Sequence, residues 1–125
     1  MARFVILRHD VPDQEYHWDW MFDITGDLLT TYSFPRRLCE EIEKENGRVA
    51  SGTVKRLSDH RREYLDYEGL VSGNRGSVRK IDSGEFRLLE PDHFEIRGPR
   101  FQGTLRFFHS DLDHLKVVAV FTQRH

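Results

Sequence analysis

Three residues near the amino end are of the types that a catalytic metal needs. His17 and Asp19 stand two apart in the run His17-Trp-Asp-Trp-Met-Phe-Asp-Ile24. In a strand, residues two apart share a face and lie about 6 to 7 Å apart along the chain, so their side-chain tips can converge on one ion. His9 closes the strand-like stretch before them, and pairing of the two strands would bring it alongside. Two imidazoles and a carboxylate with open positions suit a catalytic divalent metal such as manganese or zinc. The same His-x-Asp spacing is also the ordinary pattern of a strand face turned to solvent.

A second group lies in Asp59-His60-Arg61-Arg62-Glu63-Tyr64. His60 can face a phosphate with Tyr64 in support, and Arg61 and Arg62 can contact phosphate oxygens through paired donors. Read as structure alone, the segment is a polar connection with a tyrosine packed against it. Ser72-Gly-Asn-Arg-Gly-Ser77 is glycine-rich but lacks the lysine of a P-loop and precedes a strand pattern, so it reads as a turn. Asp111 to His114 reads as a loop.

The elements that must position these residues are mostly strands. Phe4 to Leu7 is a short apolar run. In the segment after it, Trp18, Trp20, Phe22 and Ile24 share the face opposite His17, Asp19, Met21 and Asp23, and the tryptophans read as core. Thr25-Gly-Asp27 is a turn signal, and Leu28 to Phe34 returns as a second strand. Pro35 to Asn46 predicts the one helix, capped by Ser33 and stopped by Gly47, with a thin apolar stripe of Leu38, Cys39 and Ile42. Val78–Ile81, Glu85–Leu89, His93–Arg97, Gly103–Phe108 and Leu115–Thr122 predict short strands, separated by Asp82-Ser-Gly84, Pro91-Asp92, Gly98-Pro99 and Ser110-Asp111. Many short antiparallel strands with one or two flanking helices predict a mainly β protein, a small β-barrel.

Bulk properties bound the rest. A chain of 125 residues suffices for one domain around one core, and nine Phe, four Tyr and two Trp can supply much of it. A formal net charge of −2 argues against coating nucleic acid by bulk charge, so a nucleic-acid role needs a local basic patch. The single Cys39 excludes an internal disulfide, and no apolar run is long enough for a leader or a membrane span. A cytoplasmic protein that does not enter membranes is the expectation.

Taken in order, the motifs resemble the 3'-phosphoesterase domain of bacterial DNA ligase D. Phe4-Val-Ile-Leu-Arg-His9-Asp10 and then His17-Trp-Asp19 resemble its opening. Gly26-Asp-Leu-Leu resembles its hairpin turn. Asp59-His60, Tyr64 and Asp66-Tyr-Glu-Gly69 resemble its Asp-His-x-x-x-Tyr followed by Phe-Glu-Gly. Phe94-Glu-Ile-Arg-Gly98 and Phe101-Gln-Gly-Thr-Leu105 resemble its last strands. The likeness runs from about Phe4 to Phe108, and its specificity lies in the order of the motifs.

The resemblance implies a β-barrel with a manganese-dependent site that trims nucleic-acid 3' ends in DNA repair, removing a terminal ribonucleoside and then a 3'-phosphate. It implies His9, His17 and Asp19 as metal ligands, His60 as the phosphate-engaging histidine and Tyr64 as its support. Repair proteins would act in trans. The chain departs from the pattern at Met21, at Gly52 by ungapped count, and at Leu7, where the family has two arginines and a glutamine. Losing a donor to developing charge can cost roughly 10²-fold in rate. A catalytically impaired module that binds metal and DNA ends, and a metalloenzyme for another small substrate, are the competing expectations.

Overall fold

The computed structural model describes residues 2–45, 49–110 and 113–122. Its elements are β1 (Ala2–Asp10), β2 (His17–Phe22), β3 (Thr30–Pro35), α1 (Arg36–Glu45), β4 (Val49–Arg56), β5 (Gly69–Leu70), β6 (Ser77–Glu90), β7 (His93–Arg97), β8 (Gln102–His109) and β9 (His114–Phe121), with a 3₁₀ turn at Arg62–Leu65. The strands run antiparallel in the order β1-β2-β3-β4-β9-β8-β7-β6, and β6 returns to pair with β1. That last pairing closes an eight-stranded barrel and removes its open edges. The two-residue β5 adds only to the start of β6.

Strand alternation builds the interior. Phe4, Ile6, Trp18, Trp20, Phe22, Phe34, Phe94, Ile96 and Leu105 are fully buried in one cluster. Aromatic rings fill it: Tyr32 stacks on Phe107 at 3.9 Å, Phe22 on Phe94 at 4.1 Å and Trp20 on Phe34 at 5.0 Å. Such pairs contribute about 0.5–1.5 kcal/mol each beyond the area they bury. The tryptophans are core, as their face of β2 predicts. Helix α1 adds its stripe of Leu38, Cys39 and Ile42 to the same cluster and leaves Glu40, Glu41, Glu43 and Lys44 exposed. No helix among the described residues is long and apolar enough to cross a membrane.

Several boundaries differ from the sequence expectation. Ser33 does not cap the helix; it pairs with Asp19 inside β3, which runs to Pro35, and α1 starts at Arg36. Asn46 and Gly47 lie outside the described residues. Asp82-Ser-Gly84 is not a turn: Val78–Ile81 and Glu85–Leu89 are one fourteen-residue strand, β6. The register of β6 on β1 slips between Ile6 and Leu7, and this irregularity lets one strand serve both β1 and β7. Asp82 is buried and accepts hydrogen bonds from the backbone N–H groups of Arg100 (3.1 Å) and Phe101 (2.8 Å), tying down the β7–β8 turn. Gly84 is needed because a Cβ there would lie 2.1 Å from the Arg97 carbonyl oxygen. β4 has no counterpart among the expected strands, and His114 begins β9 instead of ending a loop.

Candidate metal centre

Antiparallel pairing of β1 and β2 sets His9 directly opposite His17, and Leu7 opposite Asp19. Because Trp18 and Trp20 point inward, His17, Asp19 and Met21 share the outer face. The trio converges there. His9 Nδ1 lies 3.6 Å from Asp19 Oδ2, His17 Nε2 lies 3.1 Å from Asp19 Oδ1, and the two imidazole centroids are 4.9 Å apart. Their ligand atoms all fall within 4.8 Å of one another. Donors about 2.0–2.2 Å from a tetrahedral ion lie about 3.5 Å apart, so the three side chains would close in by about an ångström to hold one.

Asp19 is 2 % exposed, and its Oδ1 has no aligned hydrogen-bond donor. His17 Nε2 is near enough for charge attraction but is not in hydrogen-bond alignment with it. A buried carboxylate oxygen without a donor is costly, and a cation beside two imidazole nitrogens removes that cost. Burial pushes the Asp19 carboxyl upward, yet the imidazoles of His17 and His9 overcome it and hold Asp19 below its usual range.

The tautomer of His9 is set from behind. Its Nε2 is 2.8 Å from the Arg75 carbonyl oxygen, which can only accept, so Nε2 is protonated in either charge state; Nδ1, facing Asp19, donates to the carboxylate when the ring is charged and offers its lone pair to an ion when the ring is neutral. The carboxylate of Asp19 and then this carbonyl raise the His9 pKa. Arg75 belongs to the glycine-rich turn, whose backbone is left-handed at Gly73, Asn74 and Gly76. A Cβ on Gly76 would sit 1.8 Å from the Asp10 carbonyl oxygen. The turn therefore serves as an outer support of the trio through its backbone. Arg8 steadies the β1–β2 connection, binding Asp10 and lying 3.8 Å over the Tyr16 ring.

His9 and Asp19 line a cleft of about 330 Å³ whose far wall is Ser58, Asp59, His60, Arg61 and Tyr64. His60 is fixed by reciprocal backbone hydrogen bonds with Leu29, 2.7 and 2.9 Å. Its Nδ1 lies 2.9 Å from the Ser58 carbonyl oxygen and must donate to it, which leaves Nε2 for the cleft. The Tyr64 ring stands 5.8 Å from that of His60. Arg56 anchors this loop on Asp59 and on the carbonyl oxygens of Thr31 and Leu57. Arg61 and Arg75 reach the lining, whereas Arg62 is drawn aside by Asp23.

The departures from the family pattern fall in different places. Met21 lies on the cleft floor, and with Leu7 it joins a small buried cluster of Val5, Leu29, Leu65 and Val78. Gly52 is elsewhere: a Cβ there would meet Leu38 of α1 at 3.3 Å, so the ungapped count assigns no cleft residue to that position. Sequence reasoning missed the carbonyls of Ser58 and Arg75, which orient His60 and His9. Backbone groups have no residue type to betray them; only the turn glycines hinted at the second. Compared with known proteins, the chain matches no family model and no curated sequence.

Proposed function

We propose that the chain is a metal-dependent phosphoesterase that acts on nucleic-acid 3' ends, removing a 3'-phosphate or a 3'-ribonucleotide in DNA repair. The reading is carried by one observation: the buried, donorless Asp19 Oδ1 between two imidazoles, facing His60 across a single cleft. The order of motifs resembling the ligase D phosphoesterase supports it. His9, His17 and Asp19 would hold the ion, with manganese the first choice and zinc the second, since open positions remain beyond three protein donors. When bound, such an ion supplies Lewis-acid polarisation of a phosphoryl oxygen. In its doubly protonated form, with Nδ1–H kept on the Ser58 carbonyl, His60 would give its Nε2 proton to the ester oxygen as water adds to phosphorus and the P–O bond breaks, the water's proton passing to solvent. Arg61 and Arg75 would offset phosphate charge, and Tyr64 would hold the His60 ring.

A second reading, a module that binds metal and DNA ends without turnover, is favoured by apolar Met21 in the lining of the cleft. One assay separates the two: manganese-dependent processing of a primer-template bearing a 3'-phosphate or one 3'-ribonucleotide, with His17→Ala as control. Processing that disappears in the control supports the enzyme. No processing by a manganese-loaded protein overturns it in favour of the module.

A further inference from the structure

Beside the trio lies a second cleft, of about 320 Å³. His9 and Asp19 line the first cleft, and His17 lines the second, so the trio forms the ridge between them. Ser33, Arg36, Thr53, Lys55 and His114 make up most of its other walls. Strand register explains the grouping. Asp19 pairs with Ser33, Ser33 with Lys55, and Lys55 with His114, a cross-strand row over β2, β3, β4 and β9. The row is on the outer face because Phe34, Val54 and Leu115, each next in sequence, are buried in the core.

The chemistry of this row is that of a phosphate subsite. The cleft is lined by a guanidinium, an ammonium, two imidazoles and three hydroxyls, against one carboxylate, Glu15. Arg36 meets Glu40 through Nε at 3.3 Å, and its terminal nitrogens make no part of that contact. Lys55 stands two strand spacings from Asp19, roughly 10 Å. His17 stands between the two clefts, so a ligand that occupies both passes over it.

We propose that the second cleft holds a phosphodiester inboard of the processed end, so that the substrate is a nucleic-acid strand crossing β4 and β3 and passing over His17 into the first cleft. This rests on the phosphoesterase reading and adds to it a place for the strand behind the processed end. It also supplies the local basic patch that a chain of net charge −2 needs.

The test compares wild type with Lys55→Glu, an exposed strand position, after both are shown to bind manganese equally. Turnover is measured on a nucleoside 3'-monophosphate and on a longer oligonucleotide 3'-phosphate. The expected result is a KM for the oligonucleotide raised about tenfold more than that for the mononucleotide, with a salt dependence shallower by about one ion. Equal effects on both substrates overturn the proposal. Should neither protein turn over, fluorescence anisotropy with a labelled oligonucleotide ending in a 3'-hydroxyl decides. Binding about tenfold weaker in the variant keeps the subsite while the phosphoesterase reading falls, and unchanged binding overturns the subsite.

Discussion

At the residue scale, the site turns on which atoms lack partners. Asp19 Oδ1 is buried without a donor, and the His9 ring is oriented so that its lone pair faces the same point. Asp19→Asn keeps the shape but removes the charge, so manganese affinity should fall by about 100-fold or more, since even an outer supporting group costs roughly 10- to 100-fold when lost. Electron paramagnetic resonance of free manganese measures this, and an affinity within twofold of wild type would sink the assignment. Gly76→Ala tests the support behind His9. At φ +88° a side chain is strained, and its Cβ would strike the Asp10 carbonyl. The turn must shift, the Arg75 carbonyl leaves His9, and manganese should bind about tenfold more weakly with the far-ultraviolet spectrum retained. An unchanged affinity would mean that His9 needs no such hold.

At the scale of elements, the cleft depends on how the 3₁₀ turn and its flanks are pinned to the barrel. The Asp23–Arg62 pair ties the turn to the end of β2, and Arg3–Asp66 ties it to β1. The Arg62 guanidinium holds the Asp23 carboxyl below its usual range. A depressed carboxylate pKa stabilises the fold above the unfolded value, about 3.9, and that increment is lost as pH falls through the folded value. Arg62→Ala should therefore lower the urea midpoint near pH 7, and the gap from wild type should close below about pH 4. A gap that stays constant with pH would show that the pair contributes packing alone. The increment should be small, because both groups are partly exposed and water screens them.

At the scale of the whole molecule, barrel closure makes local opening costly. Cys39 reports on it: the thiol is fully buried in the core cluster, donates to the Phe34 carbonyl, and is pushed up to about 12 by burial. A thiolate is needed for alkylation, so the native protein should resist thiol reagents at neutral pH. Labelling should accelerate in urea in step with loss of the near-ultraviolet signal. Fast labelling without urea would show that α1 detaches from the barrel independently.

The sequence by itself determined the residue types and the strand alternation, and alternation sufficed for much. It divided β2 into a tryptophan face and a His17–Asp19 face, predicted the apolar stripe of α1, and marked His93–Arg97 to the residue. It could not resolve features whose cause lies far along the chain. Asp82-Ser-Gly84 has turn composition because Asp82 serves the backbone of residues 100 and 101 and Gly84 makes room for Arg97. β4 escaped notice because its inward positions include Gly52, kept small for Leu38 of α1, so only Ala50 and Val54 carry the apolar period. The cross-strand row through Ser33, Lys55 and His114 spans eighty residues of sequence between its ends (33 to 114 is 81 positions) and exists only through register. Alternation is a local property that a chain of side chains displays directly. Register, burial and the direction of a lone pair are set by partners brought together on closing the barrel, and only the tertiary structure decided those.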